Sequence, residues 1–196
     1  MKLVMATWNK TKLKQMEQAF RQIPLKVTSL AKRIEDIEET ALTFKGNALL
    51  KVEAATQYYG NDIIIGEDSG LSIDALGGFP GVRTARFSPG NDGDRAQQLV
   101  ERLSGVPLSK RSAKFTSAVA IAFPDGAHQY SQGVMGGWIA KKAPATISGY
   151  GDIFLLSDGK VLSEHDPALI SAYDHRQVAL FQAKQYILEW LEGKSL

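Results

Sequence analysis

The chain has 196 residues, a formal net charge of +2 and 44% hydrophobic residues, which suits one folded domain or two closely packed lobes and excludes a disordered chain. It contains no cysteine, so disulfides, thiolate catalysis and cysteine-based zinc sites are excluded, and a reducing compartment is expected. The near-neutral balance argues against a duplex-binding module, despite Trp8, Trp138 and the lysines near the N-terminus, but leaves room for a local basic site for phosphates.

Residues 3–7 predict a first strand, followed by the polar turn Trp8-Asn9-Lys10-Thr11-Lys12 and a helix carrying Leu13, Met16 and Phe20 at helical spacing. A strand running into a helix N-terminus is an anion site, because free backbone N–H groups and the helix dipole face the ligand. Asn9 can donate from its side-chain amide, and Lys10, Lys12 and Lys14 add cations. A solvated helix start is the competing reading, although lysines oppose the positive end of the dipole and so mildly favour an anionic ligand. The first apolar run is too short for a signal peptide, and no stretch reaches the roughly 18 apolar residues of a membrane span, so a cytoplasmic protein is expected.

Residues 25–30 predict a second strand, and Glu35-Asp36-Ile37-Glu38-Glu39 reads equally as surface loop or site. Thr43 caps a predicted helix over residues 44–59, with Ala48, Leu49, Val52 and Ala55 on one face and Asn47 and Lys51, four apart, on one side. Ile63-Ile64-Ile65 then reads as a buried strand, ended by Gly66-Glu67-Asp68-Ser69-Gly70-Leu71. Carboxylates at the mouth of a buried strand are costly unless solvated, paired or bound to a cation. Two adjacent hard oxygen donors suit Mg²⁺, and the stretch taken alone is equally a polar strand exit. Strand, helix, strand, helix, strand is the order of an α/β unit.

Residues 72–76 predict a short strand, and Gly77-Gly78-Phe79-Pro80-Gly81-Val82-Arg83 a flexible loop, after which Arg86 is a candidate substrate contact. A helix over 94–103 and a strand over 114–123 follow. Beyond the turn at Pro124-Asp125-Gly126, strands at 129–133 and 137–140 complete an antiparallel meander. A loop over 141–151 and a strand over 152–156 come next, and Asp166-Pro167 begins a helix. A polar break at 171–176 precedes a C-terminal helix over 177–193, with Val178, Phe181, Tyr186, Ile187, Trp190 and Leu191 on its core face. His175 beside Arg176 is a better functional candidate than His128 or His165, though such a pair is often surface decoration.

Several separate stretches agree, in order, with one family pattern. Thr-Gly-Asn-x-x-Lys is represented by Thr7-Trp8-Asn9-Lys10-Thr11-Lys12, and Glu-Glu-Thr-Gly-x-Thr-Phe-x-Glu-Asn-Ala-x-x-Lys by the run from Glu38 to Lys51. Asp/Glu-Asp-Ser-Gly-Leu is matched by Glu67 to Leu71, Gly-Gly-x-Pro-Gly and Ser-Ala-Arg by Gly77 to Gly81 and Thr84-Ala85-Arg86, and Ser-His-Arg by Asp174-His175-Arg176. The chain thereby resembles the non-canonical purine NTP pyrophosphatases (inosine/xanthosine triphosphate pyrophosphatases) over nearly its whole length. The resemblance implies an α/β fold, an elongated two-lobed mixed sheet flanked by helices with a central nucleotide-binding cleft, in one domain spanning residues 1–196 and usually a homodimer. It implies Mg²⁺-dependent attack of water on a nucleoside triphosphate, releasing pyrophosphate. Thr7, Asn9, Lys12 and Lys51 would hold phosphates, and Asp68 and Glu67 would serve catalysis and the metal. Tyr150, Asp152, His175 and Arg176 would contact the base, and Ser69, Gly70 and Arg86 would make further substrate contacts. No nucleic acid or membrane partner is implied.

Four departures from the pattern bear on the site. Gly46 stands where the Glu before Asn-Ala is expected, deleting a metal-associated carboxylate, and Trp8 replaces a Gly where backbone approaches phosphate. Ser148-Gly149-Tyr150-Gly151-Asp152 replaces Phe-Gly-Tyr-Asp-Pro, and Ile170 replaces a Lys. One reading is a working hydrolase with an altered base pocket, in which Glu67 or Glu53 supplies the missing ligand. The other is a catalytically weak relative that binds a nucleotide or a protein partner. Survival of the phosphate-side groups together favours the hydrolase.

Overall fold

The apolar runs become six strands: β1 (Lys2–Met5), β2 (Lys26–Ser29), β3 (Ile63–Ile73), β4 (Ser112–Ala122), β5 (His128–Ile139) and β6 (Phe154–Leu155). Among the described residues five α-helices accompany them: α1 (Lys10–Ala19), α2 (Phe44–Tyr59), α3 (Asp92–Arg102), α4 (Pro167–Ile170) and α5 (His175–Gly193). The computed structural model describes residues 1–31 and 37–193; Glu35 and Asp36 of the acidic stretch lie outside the described residues. The strands form one sheet in the order β2-β1-β3-β4-β5-β6. It is mixed: β1 runs parallel to β2 and β3, with Leu3 opposite Ile63 and Met5 opposite Ile65, whereas β5 and β6 are antiparallel. No helix among the described residues is long and apolar enough to cross a membrane.

The chain divides into two compact units. The first comprises Met1–Ser69, Ser117–Gly133 and His175–Leu196, and the second Gly70–Thr116 and Val134–Asp174. In the first unit β1 from Leu3 onward and the start of β3 are buried on both faces, which is why they read as unbroken apolar runs. Leu3, Met5, Ile63 and Ile65 join Met16 and Phe20 of α1 and Leu180 and Ile187 of α5. The alternate residues Val4 and Ile64 join Ala48, Val52 and Ala55 of α2, as the period of two along a strand requires. The second unit has its own core of Leu71, Ile73, Leu99, Leu103, Phe115, Ile139, Ile153 and Phe154, with the rings of Phe115 and Phe154 4.7 Å apart.

Several sequence expectations are corrected. β3 does not stop at the carboxylates but runs through Glu67 and Asp68 to Ile73, because those charges are paired inside the structure, and Asp74–Leu76 is a 3-10 turn instead of part of a strand. The two short strands expected at 129–133 and 137–140 are one strand, β5, whose glycines sit in extended backbone and whose residues alternate between buried and exposed from Ser131 to Ile139. The strand expected over 152–156 shrinks to β6, since Tyr150–Asp152 is a turn. α5 begins at His175, two residues early, which puts His175 and Arg176 in its first turn. Its core face is also built differently. Phe181 is 64% exposed, while Ala179, Leu180, Ala183 and Ile187 are buried. Small alanines fit the close packing there, and a scan for large apolar residues passes over them.

Candidate functional site

The predicted phosphate, metal and catalytic residues all belong to the first unit: Thr7, Asn9, Lys12, Lys51, Glu67, Asp68 and Ser69, together with His175 and Arg176. The turn after β1 organises the start of α1. Asn9 is its N-cap, the side-chain oxygen accepting from the backbone N–H groups of Thr11 at 3.0 Å and Lys12 at 3.1 Å, and its own N–H donates to the Thr7 hydroxyl at 3.2 Å. Two of the helix N–H groups that the sequence offers to an anion are thus already capped by Asn9. Trp8 is 37% exposed, and no non-glycine among the described residues has a positive φ, so this turn does not need the glycine of the family pattern for its backbone.

β3 sets two neighbouring carboxylates into two different networks, because adjacent strand residues point to opposite faces. Glu67 has no exposed surface and faces Lys12 and Arg176. Its Oε2 lies 2.7 Å from the Lys12 ammonium, and its Oε1 accepts from the Ser117 hydroxyl at 2.7 Å and from Arg176 Nε at 3.1 Å. Arg176 also donates to the Ser69 hydroxyl at 2.8 Å and to Gln15 Oε1 at 2.9 Å. Burial alone would raise the Glu67 carboxyl, but the charges of Lys12 and Arg176 outweigh it and hold the group well below the usual carboxylate range.

Asp68, 4% exposed, faces α2. Its Oδ2 accepts from Asn47 Nδ2 at 3.0 Å, and its Oδ1 lies 3.6 Å from the Lys51 ammonium. Lys51 also donates to the Glu67 carbonyl at 2.9 Å and pairs with Glu39 Oε1 at 2.5 Å. Burial raises the Asp68 carboxyl above its ordinary value; Lys51 opposes that shift and the Glu39 charge adds to it. Gly66 permits this geometry. A Cβ there would stand 2.5 Å from the Ala48 carbonyl and 3.1 Å from Lys51 Cβ, so only glycine lets α2 approach β3 this closely. The expectation that Asn47 and Lys51 project from one side of the helix is met, since both reach Asp68.

Of the carboxylates near these lysines, Glu67 has one oxygen on Lys12 and the other on Ser117 and Arg176, so a metal would have to displace a cation to bind it. Glu53 is exposed on α2. Glu39 and Asp68 differ in degree: they share one cation, the Lys51 ammonium, where Glu67 is held by two, and they are hard oxygen donors. Mg²⁺ uses one or two protein carboxylates completed by water and phosphate oxygens, which this pair fits. Among the described residues no group of three or more His, Cys, Asp or Glu side chains gathers as a cage. Glu39, Ser117 and Gly66 are therefore the residues to which the sequence alone gave no site role. The acidic run around Glu39 was visible, but its pairing with Lys51 was not.

The remaining predicted contacts belong to the second unit. Tyr150 is buried, and its hydroxyl donates to the Thr84 carbonyl at 2.6 Å; burial pushes that phenol up to about 12. Asp152 closes its own turn. Hydrogen bonds from Ser163 and then Ser148 hold its carboxyl at about 2, with Ser148 N–H at 2.7 Å and Gly149 N–H at 3.3 Å. Gly70 is buried in β3, and Arg86 is exposed just after the 3-10 turn Gly81–Arg83.

The chain is similar to known proteins over nearly its whole length. The chain is 46% identical over 190 residues to a protein of Halalkalibacterium halodurans named a non-canonical purine NTP pyrophosphatase homolog, covering 97% of each chain. It is 34% identical over 193 residues to the dITP/XTP pyrophosphatase of Symbiobacterium thermophilum, again covering 97% of each. The solved structure of a HAM1 protein from Coxiella burnetii superposes with a TM-score of 0.86 at 32% identity, covering 96% of this chain and 99% of that one. The model of the Ham1 family matches residues 3–186, and the chain belongs to that family.

Proposed function

We propose that the chain is a single nucleotide-hydrolysing domain that, with Mg²⁺, converts a nucleoside triphosphate to the monophosphate and pyrophosphate. The substrate is a non-canonical purine nucleotide of the kind its relatives are named for. The observation that carries this reading is the arrangement around β3, where two ammonium groups, Lys12 and Lys51, each rest against a carboxylate beside the capped start of α1 and Asp68. On binding, those ammonium groups exchange carboxylate partners for phosphate oxygens, with Thr7 and Asn9 holding the turn. Asp68 aligns the attacking water and takes its proton as the α–β phosphoanhydride opens and pyrophosphate leaves, and its raised pKa suits a base. Glu39 and Asp68, in place of Glu67, are the residues that would hold Mg²⁺, which when bound supplies charge neutralisation at the phosphates. His175 and Arg176 contact the base. Tyr150 and Asp152 of the 148–152 turn are further base contacts on this reading, and Ser69, Gly70 and Arg86 are further substrate contacts, with the residues that recognise the base altered from the family pattern. A cytoplasmic homodimer is the form we assign to it, following the family resemblance.

The test is to incubate the purified protein with Mg²⁺ and a panel of purine and pyrimidine triphosphates and follow pyrophosphate. Release that is fastest with a deaminated purine supports the proposal. Silence across the panel from protein that still binds nucleotide replaces it with a binding function.

A further inference from the structure

The first turn of α2 carries two features that the reaction scheme leaves unused. Asn47 has no exposed surface, and its side-chain amide is used at both ends. Nδ2 donates to Asp68 Oδ2 at 3.0 Å, and Oδ1 accepts from the backbone N–H of Ala41 at 2.9 Å. Ala41 lies two residues after Glu39, whose carboxylate meets Lys51, and Lys51 in turn faces Asp68. One buried side chain therefore ties the segment bearing Glu39 to the carboxylate across from it. The second feature is Gly46. A Cβ on it would stand 2.6 Å from the Ala41 Cβ and 3.1 Å from the Thr43 hydroxyl oxygen, closer than side chains pack. In the family pattern quoted above, position 41 is glycine and position 46 carries a side chain; here the methyl is at 41 and the glycine at 46. The two departures share one contact.

We propose that Asn47 is a positioning residue that sets Glu39 against Asp68 across Lys51. Gly46 is the space that lets the Ala41 segment dock on α2, a packing exchange with Ala41 and not a deleted metal ligand. This rests on Glu39 and Asp68 being the working carboxylates of the proposed hydrolase. The geometry has a direct consequence: a side chain at 46 pushes the Ala41 segment off Asn47, and removing the methyl at 41 lets it return. Loss of the Asn47 amide frees both ends at once. Asp68 then keeps its charge but loses the donor that orients it, and positioning partners of this kind are worth about tenfold or more in activity.

The test uses four proteins: the wild type, Asn47→Ala, Gly46→Ala and the double variant Ala41→Gly/Gly46→Ala. Hydrogen exchange at the amide of residue 41 is measured in each, with thermal unfolding and steady-state kinetics at a temperature where all are folded. We expect the amide to be protected in the wild type and to exchange about tenfold faster or more in Asn47→Ala and Gly46→Ala. Protection and melting temperature should recover in the double variant. We expect Asn47→Ala to lower kcat about tenfold or more with KM changed by less than about threefold, a split that a purely structural role would not produce. An unprotected amide in the wild type, an unaltered Gly46→Ala, a double variant no better than the single, or a folded Asn47→Ala with unchanged kcat each overturns the proposal. If the wild type releases no pyrophosphate at all, the hydrolase reading fails. The exchange and melting cycle still decides whether residues 41, 46 and 47 form this dock.

Discussion

Two arginines, one in each unit, Arg111 buried and Arg176 partly buried, show how differently the units use charge. Arg111 in the second unit is 3% exposed and gives its guanidinium to main-chain carbonyls: Val106 at 2.9 Å, Ala140 at 2.6 Å and Leu103 at 2.7 Å. Arg176 in the first unit gives its guanidinium to side chains, namely Glu67, Ser69 and Gln15. The same contrast holds for Tyr150, bonded to the Thr84 carbonyl, and Lys12, held against Glu67. Polar groups that satisfy backbone are part of the scaffold, because moving them strands a carbonyl with no substitute. Charges that satisfy other charged side chains can exchange partners when a polyanion arrives. A buried network of that second kind adds little net stability for its cost, which is why it marks a site.

Asp68 is where the first unit's use of charge matters most to the reaction. Asp68→Asn should lower kcat about a thousandfold while melting close to the wild type, as expected when a base is replaced by a neutral group of the same shape. Retained turnover would place the chemistry elsewhere. Next in size is Glu67→Gln. Removing the counter-ion of Lys12 and Arg176 should cost about 3 kcal/mol of stability, read by denaturant unfolding. It should also flatten the acid limb of stability. Because the folded Glu67 carboxyl lies below its ordinary value of 4.5, the unfolded chain takes up the proton first. The stabilisation is therefore present at neutral pH and is lost as the pH falls from the unfolded value through the lower folded one. The glutamine variant should lack that loss.

Arg111→Met is the counterpart in the second unit. Removing the donor shared by the Val106, Ala140 and Leu103 carbonyls, of which Leu103 keeps the Val106 N–H, should cost about 2–3 kcal/mol with kcat and KM unchanged at a temperature where the variant is folded. A large fall in kcat would mean that the second unit's charges also serve the reaction. Lys12→Ala is the smallest of the four. It should weaken inhibition by pyrophosphate about tenfold and affect the monophosphate much less. Equal effects on both ligands would contradict a phosphate role. In the wild type, the acid limb of kcat/KM should lie above the ordinary aspartate value of 3.8, since burial raises Asp68. Deprotonation is needed for activity, so activity falls as the pH drops through the raised value.

Much of this was legible before the structure. The alternation of elements, the Thr43 cap, the α2 boundaries and the common side of Asn47 and Lys51 all follow from local pattern. So does the adjacency of Glu67 and Asp68, but not the division of labour between them. That division depends on partners contributed by α1, α2, β4 and α5, far apart in the sequence, and no local spacing encodes them. The same holds for the run of β3 past its carboxylates. A strand was expected to stop where charge begins, and the pairing that permits it to continue is tertiary. Gly46 misled in a related way. Read alone it is a missing carboxylate, and only the distance to Ala41 reveals a contact.

The most direct measurement is pyrophosphate release from deaminated purine triphosphates with Mg²⁺, run side by side for the wild type and Asp68→Asn. The account expects steady release from the wild type and about a thousandfold less from the variant, with nucleotide still bound by both. Equal release from the two proteins would contradict the assignment of the reaction to the network around β3.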